Sequence, residues 1–226
     1  MRTLVLIPAR AGSKGIKNKN LKKLGQKTLV EHTFLTACKL KKIDDIILST
    51  DSKQIIRLSK KYKKIQTLFL RPKKFAADNS KMSEVALHTI NFLKKINKKF
   101  KYIIILQPTT PFRSIKELNK IINHVKKNKI KSLFSVTESW QHPSEFIEIK
   151  KGKKVKFLDK NLDTYRQKYK NFYFINGAIY MTEIDYFIKK KRFITNKSLP
   201  FIMSQETLID IDNNFHLKVA RGLYKS

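Results

Sequence analysis

Short apolar segments alternate along most of this chain with longer segments whose apolar residues recur at helical spacing. The apolar runs are bounded by Pro, Asp or other polar residues, as β-strands are, and the longer segments carry a lysine-rich opposite face. Strands are predicted at Thr3–Ile7, Ile46–Thr50, Thr67–Leu70, Tyr102–Leu106, Ser132–Val136 and Phe174–Met181. Helices are predicted at Leu29–Leu40, Lys53–Tyr62, Ser83–Lys95 and Ile115–Lys127. This alternation predicts an α/β fold with a doubly wound, mostly parallel sheet.

Two of the predicted helices begin with recognisable capping residues. Thr28 precedes the first helix, and Glu31 stands three positions later, which is the pattern of a capping box. Ser114 stands before the helix that begins at Ile115 and is a suitable N-cap.

Residues 139–173 break the alternation of strands and helices. They are predicted to form an extended excursion with a hairpin around Lys151-Gly152-Lys153. A segment of this length cannot fold alone, and nothing in the chain resembles a linker. We therefore expect a single domain over residues 1–226, with 139–173 as an inserted arm.

The chain is strongly basic, with 50 Lys and Arg residues against 17 Asp and Glu residues and a formal charge of +33. The excess is mostly lysine, and it is spread over the outer faces of the predicted helices. Solvated lysine faces explain this distribution better than a polyanion site does, although weak adhesion to nucleic acid at low salt is expected. No specific nucleic-acid partner is predicted.

Cysteine usage and hydropathy indicate a cytoplasmic protein. The one cysteine, Cys38, cannot form an internal disulfide, and its place in an apolar helical pattern favours a core thiol. No apolar run reaches the ~20 residues of a membrane span, and the first residues form a strand with no signal-peptide pattern.

Polar residues stand just after several of the predicted strands. Arg10, Asp51, Arg71 and Gln107 each follow a strand by one to a few residues. Because the carboxyl ends of parallel strands meet at one edge of a sheet, where ligands of such folds bind, we expect these residues to share one rim.

The loop after the first strand has the composition of an anion-binding loop. Its glycines, Gly12 and Gly15, permit tight turns and close backbone approach. Its cations and hydrogen-bonding residues are Arg10, Lys14, Lys17, Lys19, Ser13, Asn18 and Asn20. It has neither the G-x-x-x-x-G-K-[ST] nor the G-x-G-x-x-G spacing. An ordinary basic surface loop is the alternative.

A pair of carboxylates lies near the end of the chain. Asp210 and Asp212 are two positions apart, so on an extended chain both point to the same side. Hard oxygen ligands of this kind suit Mg²⁺ beside a triphosphate, although paired aspartates are also common on surface loops.

Several longer motifs resemble the acylneuraminate cytidylyltransferase family. They are IPARAGSKGIKNKN (residues 7–20), LQPTTPFR (106–113), FINGAIYM (174–181) and ETLIDIDNNFHLKVA (206–220). Weaker matches are Arg71-Pro72 with the following FAADNS segment, and Arg166-Gln167. The matches extend over nearly the whole chain.

The resemblance implies a Rossmann-like nucleotidyltransferase that transfers CMP from CTP to the anomeric hydroxyl of a nonulosonic acid and releases pyrophosphate. It further implies a homodimer. The arm at 139–173 is too short to bury its aromatic residues internally, so we expect it to pack on a second copy; packing over its own sheet edge is the alternative. Sialic, pseudaminic and legionaminic acids all remain open as the substrate. Cytidylyl transfer to an eight-carbon 3-deoxy keto sugar acid is one alternative, and a noncatalytic polyanion-binding α/β protein is another.

The resemblance also assigns roles to individual residues. Nucleotide binding is assigned to Ala9, Arg10, Gly12, Ser13, Lys19, Asn20, Arg71 and Ser80. Sugar binding is assigned to Gln107, Arg166, Asn176 and Tyr180, Mg²⁺ binding to Asp210 and Asp212, and catalysis to Arg10, Lys19 and Asp212. Arg113 is expected to anchor its loop. Lys81 and Met82 replace small serines that are frequent in the family, a departure that affects the expected contacts with cytosine.

Overall fold

The computed structural model describes residues 1–151, 154–157 and 171–225. The strands are β1 (Thr3–Pro8), β2 (Lys23–Leu24), β3 (Lys27–Thr28), β4 (Asp45–Ser49), β5 (Ile65–Gln66), β6 (Tyr102–Ile105), β7 (Ser132–Glu138), β8 (Ile147–Ile149), β9 (Val155–Phe157), β10 (Tyr173–Glu183) and β11 (Leu199–Ile202). The helices are α1 (Leu29–Lys39), α2 (Lys53–Ser59), α3 (Met82–Lys95), α4 (Ile115–Asn128), α5 (Ile184–Lys190) and α6 (Asn214–Lys225). Short 3₁₀ turns include Lys19–Leu21, Lys73–Phe75, Pro143–Glu145 and Gln205–Leu208.

A mixed, mostly parallel sheet forms the centre of the molecule, with strand order β11-β7-β10-β6-β1-β4-β5. Strand β1 pairs in parallel with β4 on one side and β6 on the other. Strand β10 runs antiparallel between β6 and β7, and β11 is parallel to β7. This arrangement confirms the predicted fold class.

Both faces of the sheet are covered, and β1 shows why its sequence is apolar throughout. Val5 and Ile7 pack with α1 residues such as Phe34 in one core cluster. Leu4 and Leu6 point the other way and pack with α3 and α5 in a second cluster. A strand buried on both faces needs a continuous apolar run, and β1 has one.

The local signals of the sequence are found in the structure. Thr28 and Glu31 form the predicted capping box of α1, and the Ser114 side chain accepts a hydrogen bond from the backbone N–H of Glu117. Ser52, which was not predicted, caps α2 in the same way.

The predicted strand at Thr67–Leu70 is wrong. The strand in this region is β5 at Ile65–Gln66, which pairs with β4 at the sheet edge. Leu68 and Leu70 are exposed, because the chain leaves the sheet there. The Arg71 N–H then donates to Thr50 O over 2.8 Å, so this residue is bound to the end of β4 outside any strand.

Within the arm, β8 and β9 form the antiparallel hairpin expected around Lys151. Gly152, Lys153 and residues 158–170 lie outside the described residues. No helix in the described part of the chain is long and apolar enough to cross a membrane.

Candidate active site

The loop after β1 is held at the carboxyl edge of the sheet by two side chains. The Ala11 N–H donates to Asp51 Oδ1 over 2.7 Å, and Asn20 Nδ2 donates to Arg10 O over 2.9 Å. Asp51 follows β4 and is one of the polar residues expected on the common rim. Its function here is structural, because it holds the loop after β1 in place. Ala9, assigned to nucleotide binding from sequence, is fully buried behind the loop.

A cleft at this edge brings most of the predicted nucleotide-binding residues together. Its predicted members are Arg10, Gly12, Ser13, Lys19, Asn20, Arg71, Ser80 and Gln107. Its other lining residues, which sequence reasoning did not select, are Pro8, Phe75, Ala77, Met82, Val85, Pro108 and Thr109. The cleft is therefore polar and cationic along the loop after β1 and more apolar along the segment that leads into α3.

Arg10 crosses the cleft to the opposite wall. Its Nη1 lies 2.6 Å from Asp78 Oδ1 and 3.4 Å from Ala76 O, and Lys14 Nζ lies 3.6 Å from Asp78 Oδ2. The hydrogen bond from Arg10 holds the pKa of Asp78 below its usual range. Asp78 thus supplies negative charge to a loop that is otherwise cationic. It is also the acidic residue in the motif segment that follows Arg71-Pro72. Its ion pair with Arg10 was not predicted from the sequence.

Arg71 is buried beneath the cleft and is partly used by the fold. Its Nε donates to Ser49 Oγ over 3.0 Å, and its Nη2 donates to Ser49 O. Burial lowers its pKa to about 10, with Arg10 adding to the decrease and Asp51 opposing it. The guanidinium therefore remains charged at neutral pH.

The carboxylate pair is joined to the loop after β1 by an ion pair and by close backbone packing. Lys19 Nζ lies 2.8 Å from Asp212 Oδ1, and their side chains are 14% and 64% exposed. The Ile211 N–H donates to Thr109 O over 2.8 Å, which ties the same segment to the loop after β6. His216 Nδ1 accepts from the Asp212 N–H over 3.3 Å. Asp212 thus lies beside Lys19, which lines the cleft, and its main chain is fixed.

The sequence suggested that Gly15 lets the backbone approach an anion, but the structure gives this glycine a different function. A Cβ at this position would lie 2.1 Å from the carbonyl oxygen of Asp212, so the close approach is to protein backbone. At Gly12, by contrast, a Cβ would meet nothing within 4 Å. Gly15 is therefore required for the contact between the two segments that carry Lys19 and Asp212.

Replacing Gly15 with alanine is expected to destabilise the protein by about 1–3 kcal/mol, because backbone must shift to admit the new methyl group. Urea denaturation followed by circular dichroism measures this effect. Gly222 in α6 is the matched control, since a Cβ there meets nothing within 4 Å. Gly222→Ala should be neutral or stabilising by roughly 0.5–1 kcal/mol. Equal midpoints for Gly15→Ala and the parent protein would contradict the packing argument.

Asp210 lies deeper than Asp212. Burial raises its pKa, and the nearby charge of Asp212 acts in the same direction, while a hydrogen bond from Thr109 and the charges of Lys19 and Arg113 oppose the increase. Its Oδ1 is buried and has no hydrogen-bond partner among the described residues.

The carboxylates of Asp210 and Asp212 suit a Mg²⁺ ion that is bound to a nucleotide. An orphaned carboxylate oxygen on Asp210 and an exposed carboxylate on Asp212 provide hard oxygen ligands. The described residues contain no group of three or more His, Cys, Asp or Glu side chains that could hold a metal. Mg²⁺ typically uses one or two carboxylates together with phosphate oxygens and water, so the pair fits a nucleotide-bound ion.

Arg113 anchors its loop, as expected. Its Nε donates to Ala178 O over 2.7 Å and its Nη2 donates to Gln107 O, which connects the loop after β6 to β10. Burial lowers its pKa to about 9, and the charge of Asp210 opposes this decrease. Arg113 thereby sets the position of Gln107 on the cleft wall.

Asn176 is used by the protein itself. Its Oδ1 accepts from Ser135 Oγ over 2.5 Å and from the Ala178 N–H over 3.0 Å, and its Nδ2 donates to Thr137 and Thr207 over 2.7 and 2.9 Å. An amide has two donors and two acceptor sites, and all are filled here. We therefore assign Asn176 a positioning role in place of the substrate contact suggested by sequence.

Tyr180 opposes Ile105 across the β10–β6 pair, at the same edge of the sheet as the cleft. Burial, with the charge of Asp210 adding to it, raises the pKa of its phenol, so the hydroxyl stays protonated at neutral pH. Arg166, the other predicted sugar contact, lies outside the described residues.

Comparison with known proteins agrees with this arrangement. Residues 4–212 match the sequence profile of the family described as Cytidylyltransferase. The chain is 31% identical to N-acylneuraminate cytidylyltransferase of Escherichia coli O18:K1:H7 over 97% of its own length, and it spans 52% of that relative. It is 32% identical to CMP-N,N'-diacetyllegionaminic acid synthase of Legionella pneumophila, with 94% of this chain and 91% of the relative covered.

A solved structure of CMP:2-keto-3-deoxy-manno-octonic acid synthetase complexed with CTP has the same fold. The TM-score is 0.68 at 12% sequence identity, and the superposition covers 100% of this chain and 99% of the other. The family profile, the relatives and the motif-lined cleft together show that this chain belongs to the cytidylyltransferase family.

Proposed function

We propose that this protein transfers CMP from CTP to the anomeric hydroxyl of a nonulosonic, sialic-type acid and releases pyrophosphate. The observation that carries the proposal is the meeting of cations and carboxylates at one cleft. Arg10 and Lys19 line it from the loop after β1, and the carboxylate of Asp212 is paired with Lys19. We place the reaction in the cytoplasm, where CTP is made.

In this proposal the loop after β1 binds the triphosphate. Arg10 and Lys19 supply charge, and Gly12 leaves open space in which phosphate oxygens approach the backbone. The ion pairs of Arg10 with Asp78 and of Lys19 with Asp212 exchange for contacts with phosphate. Phosphoryl transfer depends mainly on such positioning and charge neutralisation.

Asp210 and Asp212 are the residues that would hold Mg²⁺. When bound, the ion neutralises charge on the triphosphate. Asp210 brings an oxygen that is buried and unpartnered among the described residues, and Asp212 brings an exposed carboxylate that contacts Lys19. Before the nucleotide binds, the charge of Lys19 acts on Asp210 and opposes the increase in its pKa.

Gln107, Tyr180 and Arg166 are proposed to place the sugar acid. Gln107 lines the cleft next to Pro108, and Tyr180 approaches the same edge from β10. With the sugar held there, the oxygen of its anomeric hydroxyl forms the bond to the α-phosphorus, the hydroxyl proton passes to solvent, and the bond from that phosphorus to the pyrophosphate oxygen breaks. Arg166 is proposed for the substrate carboxylate because a guanidinium matches it with a bidentate fork.

The test is pyrophosphate release from CTP and Mg²⁺ with a panel of keto sugar acids. Sialic, legionaminic and pseudaminic acids form the nine-carbon set, and an eight-carbon 3-deoxy keto acid forms the comparison. Release and a CMP-sugar of the expected mass are predicted for a nine-carbon acid. Release with the eight-carbon acid alone would select that alternative activity, and CTP binding without release from any acid would favour the noncatalytic alternative.

We further propose that the enzyme is a homodimer formed through the arm. The described part of the arm and the strand that follows it expose an apolar surface. Its members are Trp140, Phe146, Ile147, Ile149, Val155, Phe157, Phe172, Tyr173, Phe174 and Ile175. Aromatic and aliphatic side chains of this kind are favoured in subunit interfaces. A second copy that uses the same surface would cover the exposed apolar side chains of both copies at once.

Replacing Ile149 with aspartate is expected to convert the dimer to a monomer at micromolar concentration, since a charge would be buried at the interface. Ile149 is 71% exposed in the isolated chain, so the fold itself should tolerate the change. Sedimentation velocity at moderate salt measures the result. Ile96→Asp is the control, because Ile96 is also exposed but follows α3. A parent protein that sediments as a monomer would refute the dimer.

A mixing experiment tests whether the sites are shared between subunits. Inactive Arg166→Ala and Asp212→Asn variants are expected to recover partial activity after subunit exchange. A stable dimer that exchanges subunits without recovering activity would argue that each site is built from one chain.

A further inference from the structure

A small polar notch lies over Gly177, where β10 bends at the edge of the cleft. Gly177 has a φ of +68°, and the register of β10 against β7 shifts between Ile175 and Tyr180. A Cβ at Gly177 would lie 3.6 Å from Thr110 Oγ1, 3.9 Å from Asp210 Oδ2 and 3.9 Å from the Tyr180 hydroxyl oxygen. Three oxygens from three separate segments therefore surround one position that the glycine leaves free.

Two buried side-chain oxygens, one at this notch and one on the carboxylate whose other oxygen borders it, lack hydrogen-bond partners in the described part of the chain. They are Thr110 Oγ1 and Asp210 Oδ1, and Thr110 is fully buried. A buried polar group without a hydrogen bond costs about 1–3 kcal/mol, so such groups in a folded protein usually have a ligand or water. A bound group that reaches both of these oxygens would complete their hydrogen bonding or coordination.

The guanidinium whose charge acts on Asp210 already has hydrogen-bond partners. The Arg113 guanidinium donates to Ala178 O, to Gln107 O and, over 3.4 Å, to Thr33 Oγ1. The main chain beside Thr110 is held as well, because the Thr110 N–H contacts Gln107 O over 3.4 Å. The Thr110 hydroxyl oxygen, 3.6 Å from the Cβ position at Gly177, is therefore left without a partner in the described part of the chain.

The oxygens of the notch match a hydrated divalent cation. A carboxylate and a hydroxyl are hard donors, and a Ser or Thr hydroxyl commonly binds Mg²⁺ at nucleotide sites. We infer that Thr110 is a positioning residue for the divalent cation that Asp210 and Asp212 would hold. Its hydroxyl supplies a third oxygen to that site, directly or through one water molecule. This inference rests on the proposed function, because the cation would enter with the nucleotide.

The experiment compares Mn²⁺ binding by the whole protein and by Thr110→Val, with free Mn²⁺ followed by electron paramagnetic resonance in the absence and presence of CTP. Valine keeps the shape of threonine and removes only the hydroxyl. The Kd for Mn²⁺ is expected to rise by about 10–100-fold, which is the usual effect of losing a group that supports a metal site. Thr110→Ser is expected to return the Kd to within about threefold of the parent value, because it restores the hydroxyl.

Thr3 provides the matched control. It is also fully buried, and its Oγ1 also lacks a partner in the described part of the chain. However, it lies at the amino end of β1, whereas the cleft lies at the carboxyl end. Thr3→Val should leave the Kd for Mn²⁺ unchanged. Both valine variants should match or exceed the thermal stability of the parent protein, since each removes an unpartnered hydroxyl.

Equal Mn²⁺ affinity in Thr110→Val and the parent protein would overturn the inference, as would an equal loss in Thr3→Val. Absence of Mn²⁺ binding by the parent protein, with and without CTP, would also overturn it. If the parent protein releases no pyrophosphate with any sugar acid, the proposed function fails, but the Mn²⁺ comparison still decides the role of Thr110.

Discussion

Asp212→Asn is expected to lower kcat by at least about 100-fold while the fold survives, because an amide is a poor substitute for a hard anionic ligand near a triphosphate. The Asp212 side chain is 64% exposed, and its Oδ1 contacts Lys19 over 2.8 Å. Its contribution to the stability of the folded chain is therefore small, since exposed ion pairs contribute little. Pyrophosphate release at saturating Mg²⁺ and circular dichroism measure the two expectations.

Asp185→Asn is the matched control, because Asp185 is an exposed carboxylate on α5. That helix packs on the sheet face that carries Leu4 and Leu6. It should turn over like the parent enzyme. Near-normal turnover of Asp212→Asn at saturating Mg²⁺ would remove Asp212 from the catalytic machinery.

Lys19→Ala is expected to reduce kcat/KM by about 10–150-fold, which corresponds to about 1.5–3 kcal/mol for a lost charge-assisted contact. The Lys19 side chain is only 14% exposed, so its charge acts where solvent screening is weak. Steady-state kinetics with varied CTP measure the loss. Lys17→Ala is the control, because Lys17 lies on the same loop but is exposed and does not line the cleft.

Equal losses in Lys17→Ala and Lys19→Ala would show that general positive charge, and not a specific contact, supports the reaction. The double variant Lys19→Ala, Asp212→Asn gives a further check. Because the two side chains are in contact, their effects should not add, and the combined loss should be smaller than the product of the single losses.

The central fold was predictable because its determinants are local. The unbroken apolar run of β1 required burial on both faces, and Thr28 with Glu31 specified the start of α1. Parallel strands bring their carboxyl ends to one edge, so Arg10, Arg71 and Gln107 were correctly expected on a common rim. Motif resemblance then supplied the family, which composition and periodicity could not do.

Elements that depend on distant partners were missed or misplaced. The predicted strand at 67–70 failed because β5, an edge strand in the described part of the chain, pairs with β4 over Ile65–Gln66 and the chain leaves the sheet after that. Helix α5, strand β11 and helix α6 were not predicted. Strand β11 carries a weak sequence pattern, and its position is set by its pairing with β7.

The sequence alone determined which chemical groups reach the edge of the sheet, because strand periodicity and turn residues act over a few positions. Tertiary structure decided what each group does there. Lys19 and Asp212 meet across 193 residues, and Gly15 proved necessary for that meeting. Four neighbours fill the amide of Asn176, whereas no neighbour in the described part of the chain reaches the hydroxyl of Thr110. Whether a polar side chain is free for a ligand depends on which partners packing brings to it, and those partners come from parts of the chain that no local pattern connects.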